Sequence, residues 1–367
     1  IDHRGFPTPT PPPRPLAPLQ RPTGCCPMLL RSVRRSSRHQ LRATTLFACV
    51  TMATGHTVHA DVCVLGGGVA GGYFCRAAAE QSQPYLSKCM LISTEAHLPY
   101  ERPALSKGVL LNKQARLPGF LVAAGSGGAL QDEAWYAAHG IRTMLDTTVL
   151  SLDVATKTLH TTRGHVTFNK LVLATGCEAA VPRSIGGTTL PGVHVLRDYH
   201  DALELDASVD AAMAGGGAAV CVGGGYIGLE CAAAMASRGL PTTMVFPEPH
   251  VMTRLFPPAV AEAYEAYYAA KGVSIVRGQV VSSFRAGDDG RVGSAELSDG
   301  TVLPCAVAVL GTGARPRTSL VAEHVHTLPS APGGVTVDAR MRTSHPDVYA
   351  VGDVAAFPEA GGGVTRQ

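Results

Sequence analysis

The 367-residue sequence predicts an α/β protein built from two doubly wound, Rossmann-like dinucleotide-binding domains. Three observations carry this reading. A glycine fingerprint, Gly66-Gly67-Gly68-Val69-Ala70-Gly71, follows the apolar run Asp61-Val62-Cys63-Val64-Leu65 and opens an Ala-rich stretch. A second, Gly223-Gly224-Gly225-Tyr226-Ile227-Gly228, follows Ala219-Val220-Cys221-Val222 and does the same. Strand-like and helix-like segments alternate through the body of the chain.

Each element has a physical reason. The first glycine of such a turn permits the tight reversal, the second lets backbone approach a pyrophosphate, and the third lets helix pack on strand. The helix N-terminus then faces the anion. An acidic residue should close the strand after each helix and accept ribose hydroxyls. Residues 88–94 lead to Glu95, and residues 242–247 lead to Glu248. A carboxylate at Glu248 accepts from a 2′-hydroxyl and repels a 2′-phosphate, which favours NADH over NADPH. Arg254 is the nearby group that would tolerate phosphate. Two nucleotide sites in one chain suggest a relay in which nicotinamide gives hydride to a tightly held flavin. The strand-like runs Phe168–Gly176 and Val348–Asp353 end in Ala-Thr-Gly and Gly-Asp. Both resemble elements of two-dinucleotide flavoproteins, and they favour FAD at the first site. There Gly352 would bring backbone close to the flavin and Asp353 would accept from ribityl hydroxyls.

The segment Pro99-Tyr100-Glu101-Arg102-Pro103-Ala104-Leu105-Ser106-Lys107 resembles that of ferredoxin-reductase-like flavoproteins. Taken with Arg116-Leu117-Pro118-Gly119-Phe120, Trp135-Tyr136, Val245-Phe246-Pro247-Glu248-Pro249 and Met252-Thr253-Arg254-Leu255-Phe256, the chain most resembles the plant and algal monodehydroascorbate reductases, from about Asp61 to Pro358. The resemblance implies hydride transfer from NADH to FAD, then single electrons to the monodehydroascorbate radical. It implies that Gly66, Gly67, Gly68, Val69, Ala70 and Gly71 wrap the FAD pyrophosphate and that Glu95 binds its ribose. Arg102, Lys107, Val149, Arg197 and Asp353 would contact other parts of FAD. Gly223, Gly224, Gly225, Tyr226, Ile227, Gly228, Leu229 and Glu230, with Glu248, Arg254 and Gly313, would bind NADH. Two cations, Arg102 and Lys107, beside a glycine turn would also offset pyrophosphate charge on physical grounds alone. Direct hydride transfer between stacked rings needs no side-chain nucleophile or base, so no catalytic residue is assigned. Glu230 either touches nicotinamide or complements the helix dipole.

The expected organisation is a disordered tail and transit peptide over 1–56 and a first FAD-binding part over 57–200. An NAD(P)H-binding domain over 201–317 and a second FAD-binding part over 318–367 complete it. By resemblance the family continues past Asp353 into a flavin-covering helix and a C-terminal interface domain. The expectation is therefore a C-terminally truncated chain with weakened FAD retention. Two alternatives stay open: a ferredoxin- or rubredoxin-type NAD(P)H reductase, and an inactive nucleotide-binding flavoprotein.

Composition narrows the classes. Residues 1–60 hold eight Arg against one acid, Asp2, so the formal +3 of the whole chain leaves the remainder at −4. A mildly acidic body argues against a nucleic-acid surface. No apolar stretch is long enough to span a bilayer. The Pro-rich and Arg/Ser/Thr-rich start reads as a chloroplast or mitochondrial targeting segment, and translation from Met52 would give a cytosolic product. The ten Cys form no metal or dithiol motif. Cys63, Cys75, Cys221 and Cys231 read as apolar packing, and His97, His139 and His250 as surface residues.

Overall fold

A computed structural model describes residues 55–81, 88–123, 128–328, 333–358 and 364–366. The expected targeting segment lies outside these, apart from its last residues. The first glycine turn sits in a seven-stranded sheet. Its parallel centre runs Arg142–Met144, Cys89–Ile92, Thr57–Leu65 and Gly164–Leu173. Strands Thr158–Thr161 and Val149–Asp153 extend it antiparallel, and Val348–Ala350 joins parallel beside Leu171–Leu173. The central strand Thr57–Leu65 is covered on both faces. Val62 and Val64 enter one core, and Ala60, Cys63 and Leu65 the other. Double coverage explains why parallel strands such as Leu171-Val172-Leu173 are continuously apolar.

The second glycine turn belongs to an all-parallel five-stranded sheet. Its order is Val273–Arg277, Thr242–Phe246, Ala219–Val222, Val307–Leu310 and Val193–His194. A three-stranded antiparallel sheet, Val281–Ala286, Val292–Leu297 and Val302–Pro304, packs beside it through Phe284, Ala295 and Leu297. The chain leaves the first sheet through Cys177–Ala179 and comes back through Ala314–Pro316. These two strands pair antiparallel with each other. The crossings thus stand at 177–179 and 314–316, whereas the sequence suggested boundaries at 200 and 318. The difference at the first boundary arises because Val193–His194 already joins the second sheet.

Among the described residues no helix is long and apolar enough to cross a membrane, and no group of three or more His, Cys, Asp or Glu could hold a metal. Cys63, Cys75, Cys221 and Cys231 are buried, free thiols, as their expected packing role requires.

Candidate cofactor-binding sites

The two glycine turns repeat one geometry. Gly66 and Gly223 have φ of +124° and +112°, values L side chains rarely adopt. Each donates its N–H across the sheet, Gly66 to Ile92 O and Gly223 to Val245 O, both at 2.8 Å. A Cβ on Gly71 would stand 2.1 Å from Gly66 O, and one on Gly228 2.0 Å from Gly223 O. The third glycine of each fingerprint is therefore what allows helix Val69–Glu80 or Tyr226–Ser237 to sit against its own turn.

Side-chain caps close two of the helix starts, whereas helix Pro258–Ala270 opens after Pro257 without one and lines neither cavity described below. Helix Glu133–Ala138 is capped by the Asp132 carboxylate, and Tyr199–Ala214 by a reciprocal box between Asp198 and Asp201. The two glycine-turn helices begin at Gly68 and Gly225 with no side-chain cap. Their first N–H groups and positive dipole ends are left for an external acceptor.

The first helix start opens into a cavity of about 870 Å³. Gly66, Gly67, Gly68, Val69, Ala70, Glu95, Arg102, Val149, Arg197 and Asp353 all line it, drawn from segments almost 290 residues apart in sequence. Gly71 lies just behind the turn and is buried. Glu95 is held at both oxygens: Arg102 Nη2 donates to Oε1 at 2.7 Å and Tyr100 Oη to Oε2 at 2.6 Å. Burial pushes the Tyr100 hydroxyl well above the ordinary phenol range, so it remains a donor. The same oxygen accepts from Tyr199 N at 2.9 Å. Arg197 Nη2 reaches Asp353 Oδ2 at 3.0 Å. Two Arg–carboxylate pairs thus line this cavity, and each carboxylate oxygen keeps further acceptor capacity for a ligand hydroxyl.

Lys107 does not line this cavity. It lies in a second, of about 240 Å³, with Ser106, Tyr226, Ile227 and Glu230. Lys107 Nζ stands 2.8 Å from Glu230 Oε1. The two cavities share Arg102, Pro103 and Arg197 as a common wall. Gly224, Gly225 and Leu229 belong to the second turn and helix, where Leu229 is buried. Glu248 and Arg254 are exposed and line neither cavity. Gly313 has φ of +107° and its carbonyl accepts from Ala180 N at 2.9 Å. His97 is exposed as expected, whereas His139 and His250 are partly buried; His250 Nδ1 lies 3.4 Å from Glu265 Oε1.

Sequence reasoning missed several participants. Ser93 stands against Gly67, where a Cβ would meet its Oγ at 2.4 Å. Arg317 lines the first cavity, and its carbonyl accepts from Thr175 Oγ1 at 3.0 Å. The run Leu310-Gly311-Thr312-Gly313 is a second copy of Leu173-Ala174-Thr175-Gly176. A Cβ on Gly66 would lie 2.2 Å from Ala174 O, and one on Gly223 2.4 Å from Gly311 O. The repeated strand–x-Thr-Gly pattern was the available signal.

Residues 60–366 match the family model for pyridine nucleotide-disulphide oxidoreductases. The chain is 43% identical over 319 residues to monodehydroascorbate reductase 5 of Oryza sativa subsp. japonica, covering 84% of this chain and 63% of that protein. It is 43% identical over 300 residues to the monodehydroascorbate reductase of Solanum lycopersicum, covering 80% and 68%. Among solved structures, the ferredoxin reductase for the CYP199A2 system of Rhodopseudomonas palustris superposes with a TM-score of 0.74 at 27% identity, covering 84% of this chain and 72% of that one. The chain spans about three fifths of the length of the first curated relatives it matches. The chain belongs to the pyridine nucleotide-disulphide oxidoreductase family and, within it, to the monodehydroascorbate reductases.

Proposed function

We propose, with that membership as premise, that the chain binds FAD at the first glycine turn and NADH at the second. It would carry electrons from NADH to the monodehydroascorbate radical. The observation that carries this reading is the pair of uncapped helix starts beside two cavities that share Arg102, Pro103 and Arg197. A cavity of about 870 Å³ lies at the upper end of the size range of small-molecule sites, as an extended dinucleotide needs.

In this reading the N–H groups around Gly67, Gly68, Val69 and Ala70 receive the FAD pyrophosphate, with Arg102 neutralising charge beside them. Glu95 and Asp353 accept from ribose and ribityl hydroxyls, each oriented by its arginine. Bound flavin supplies the conversion from two-electron to one-electron chemistry. The chain's own residues align the two rings and exclude water. Gly223–Glu230 and Gly313 hold the NADH pyrophosphate and direct its nicotinamide to the shared wall. Glu248 selects the free 2′-hydroxyl, which favours NADH over NADPH. We assign the described chain before the strand Cys177–Ala179 and after the strand Ala314–Pro316 to the FAD-binding part, the chain between them to the NADH-binding part, and 1–56 to chloroplast targeting.

The structural likeness to a ferredoxin reductase favours one second reading, in which an iron–sulfur protein is the acceptor. Purified chain should show flavin absorption that NADH bleaches without any acceptor. Reoxidation should then be faster with ascorbate radical than with a ferredoxin. Colourless protein that cannot be reconstituted and does not bind NADH would overturn both readings.

A further inference from the structure

The second cavity contains a buried hydroxyl that this reading has not used. Ser106 is only 3% exposed, and its Oγ–H donates to Glu230 Oε2. The other oxygen of Glu230 faces Lys107 Nζ. Ser106 and Lys107 are consecutive residues on a five-residue π-helical turn, Leu105–Val109. In a π turn successive side chains diverge less around the axis than in an α-helix, and such turns recur at functional sites. Adjacent residues here reach the two oxygens of one carboxylate. The turn is itself fixed: Arg238 Nη1 donates to Leu110 O at 3.0 Å and to Asp206 Oδ1 at 2.9 Å.

The two donors are not equivalent. Lys107 is 54% exposed, and an ion pair so wet is weak and screened by salt. Ser106 is dry, on short tethered backbone, and makes a charge-assisted hydrogen bond. Glu230 lies in the second turn of its helix and is 26% exposed, so one face of the carboxylate still meets the cavity.

We infer that Ser106 is a positioning residue for Glu230: it fixes the carboxylate in the orientation that receives the nicotinamide end of NADH, while Lys107 sets local charge. This deepens the NADH-to-flavin reading and rests on it. The residue acts through Glu230 and touches neither flavin nor nicotinamide in the proposal.

The test is a double-mutant cycle on the full chain with two readouts: the dissociation constant of NADH on flavin-free protein, followed by fluorescence, and the limiting rate of flavin bleaching after reconstitution. Ser106→Ala should weaken NADH binding about threefold and slow bleaching about tenfold, the loss expected for one charge-assisted hydrogen bond. Flavin content should be unchanged. Ser106→Thr, which keeps the hydroxyl, should recover most of the rate. In a Glu230→Gln background, Ser106→Ala should cause no further loss in either readout. Additive losses, or a Ser106→Ala chain that bleaches at the parental rate, would overturn the role of Ser106 alone. A parental chain that binds no NADH and does not bleach would overturn the underlying reading as well.

Discussion

The first and second glycine turns share strand, reversal and helix, yet their surroundings differ. The first opens into a cavity of about 870 Å³ lined by Arg102–Glu95 and Arg197–Asp353 pairs. The second opens beside one of about 240 Å³, with Tyr226 59% exposed at its helix start and Glu248 and Arg254 exposed on the same module. The strand, turn, helix and x-Thr-Gly strand end are repeated, whereas among the described residues the Arg–carboxylate pairs of the first cavity have no counterpart in the second. The larger cavity suits a resident group, whereas the smaller one suits one end of a molecule that arrives and leaves each cycle.

The strongest way to break the comparison is at the third glycines. Gly71→Val drives a side chain into Gly66 O, and Gly228→Val does the same to Gly223 O. Each should cost about 3 kcal/mol or more by overpacking. The expected outcomes diverge: Gly71→Val yields colourless protein, whereas Gly228→Val stays yellow but no longer bleaches with NADH. Loss of colour in both variants would mean that the two sites are not separable.

A somewhat smaller effect should follow Arg102→Ala, which removes the cation from Glu95 and leaves only Tyr100 on that carboxylate. Flavin dissociation should rise by about tenfold to a hundredfold, the range for a lost hydrogen bond to a charged group. Equilibrium dialysis reads it. The NADH dissociation constant, measured on flavin-free chain, should move far less.

At the second site Glu248→Ser should sharpen the contrast in selectivity. Without the carboxylate, the preference for NADH over NADPH should fall by about tenfold, roughly 1.4 kcal/mol. An unchanged ratio of bleaching rates would remove Glu248 from the selection.

The smallest effect concerns the strand that closes the first sheet. Lys157 and Lys170 beside Asp347 hold its carboxyl at about 2, below its ordinary 3.8. The native state therefore binds this proton less readily than the unfolded chain. The resulting stabilisation is present above the ordinary value and is lost as pH falls through about 2. Asp347→Asn should flatten the stability curve between these limits, lowering stability near neutrality and leaving it unchanged below about 2, which denaturant titration at a series of pH values reads.

The glycine turns, their strands and Glu95 were legible because local rules dictate them: a tight turn, an apolar run, an acid at a strand end; Asp353 was legible only through the resemblance of its Gly-Asp strand end to that of two-dinucleotide flavoproteins. Lys107 was read as a cation beside the first turn but stands in the second cavity, since the course of the chain after Arg102 is set by packing and not by spacing. Ser106 was illegible for a related reason. Its partner Glu230 lies 124 residues away, and a lone serine carries no pattern. Gly311-Thr312-Gly313 stood in plain view as a repeat of Ala174-Thr175-Gly176, but only the last glycine was singled out.

Because Cys177–Ala179 and Ala314–Pro316 run side by side, the whole of the second sheet is strung between two neighbouring points. The intervening polypeptide has the form of a cassette inserted between two adjacent strands of its host. Such an arrangement lets one nucleotide module be replaced by another without rethreading the strands around it, and it gives any rocking of the cassette a two-stranded ribbon as its axle.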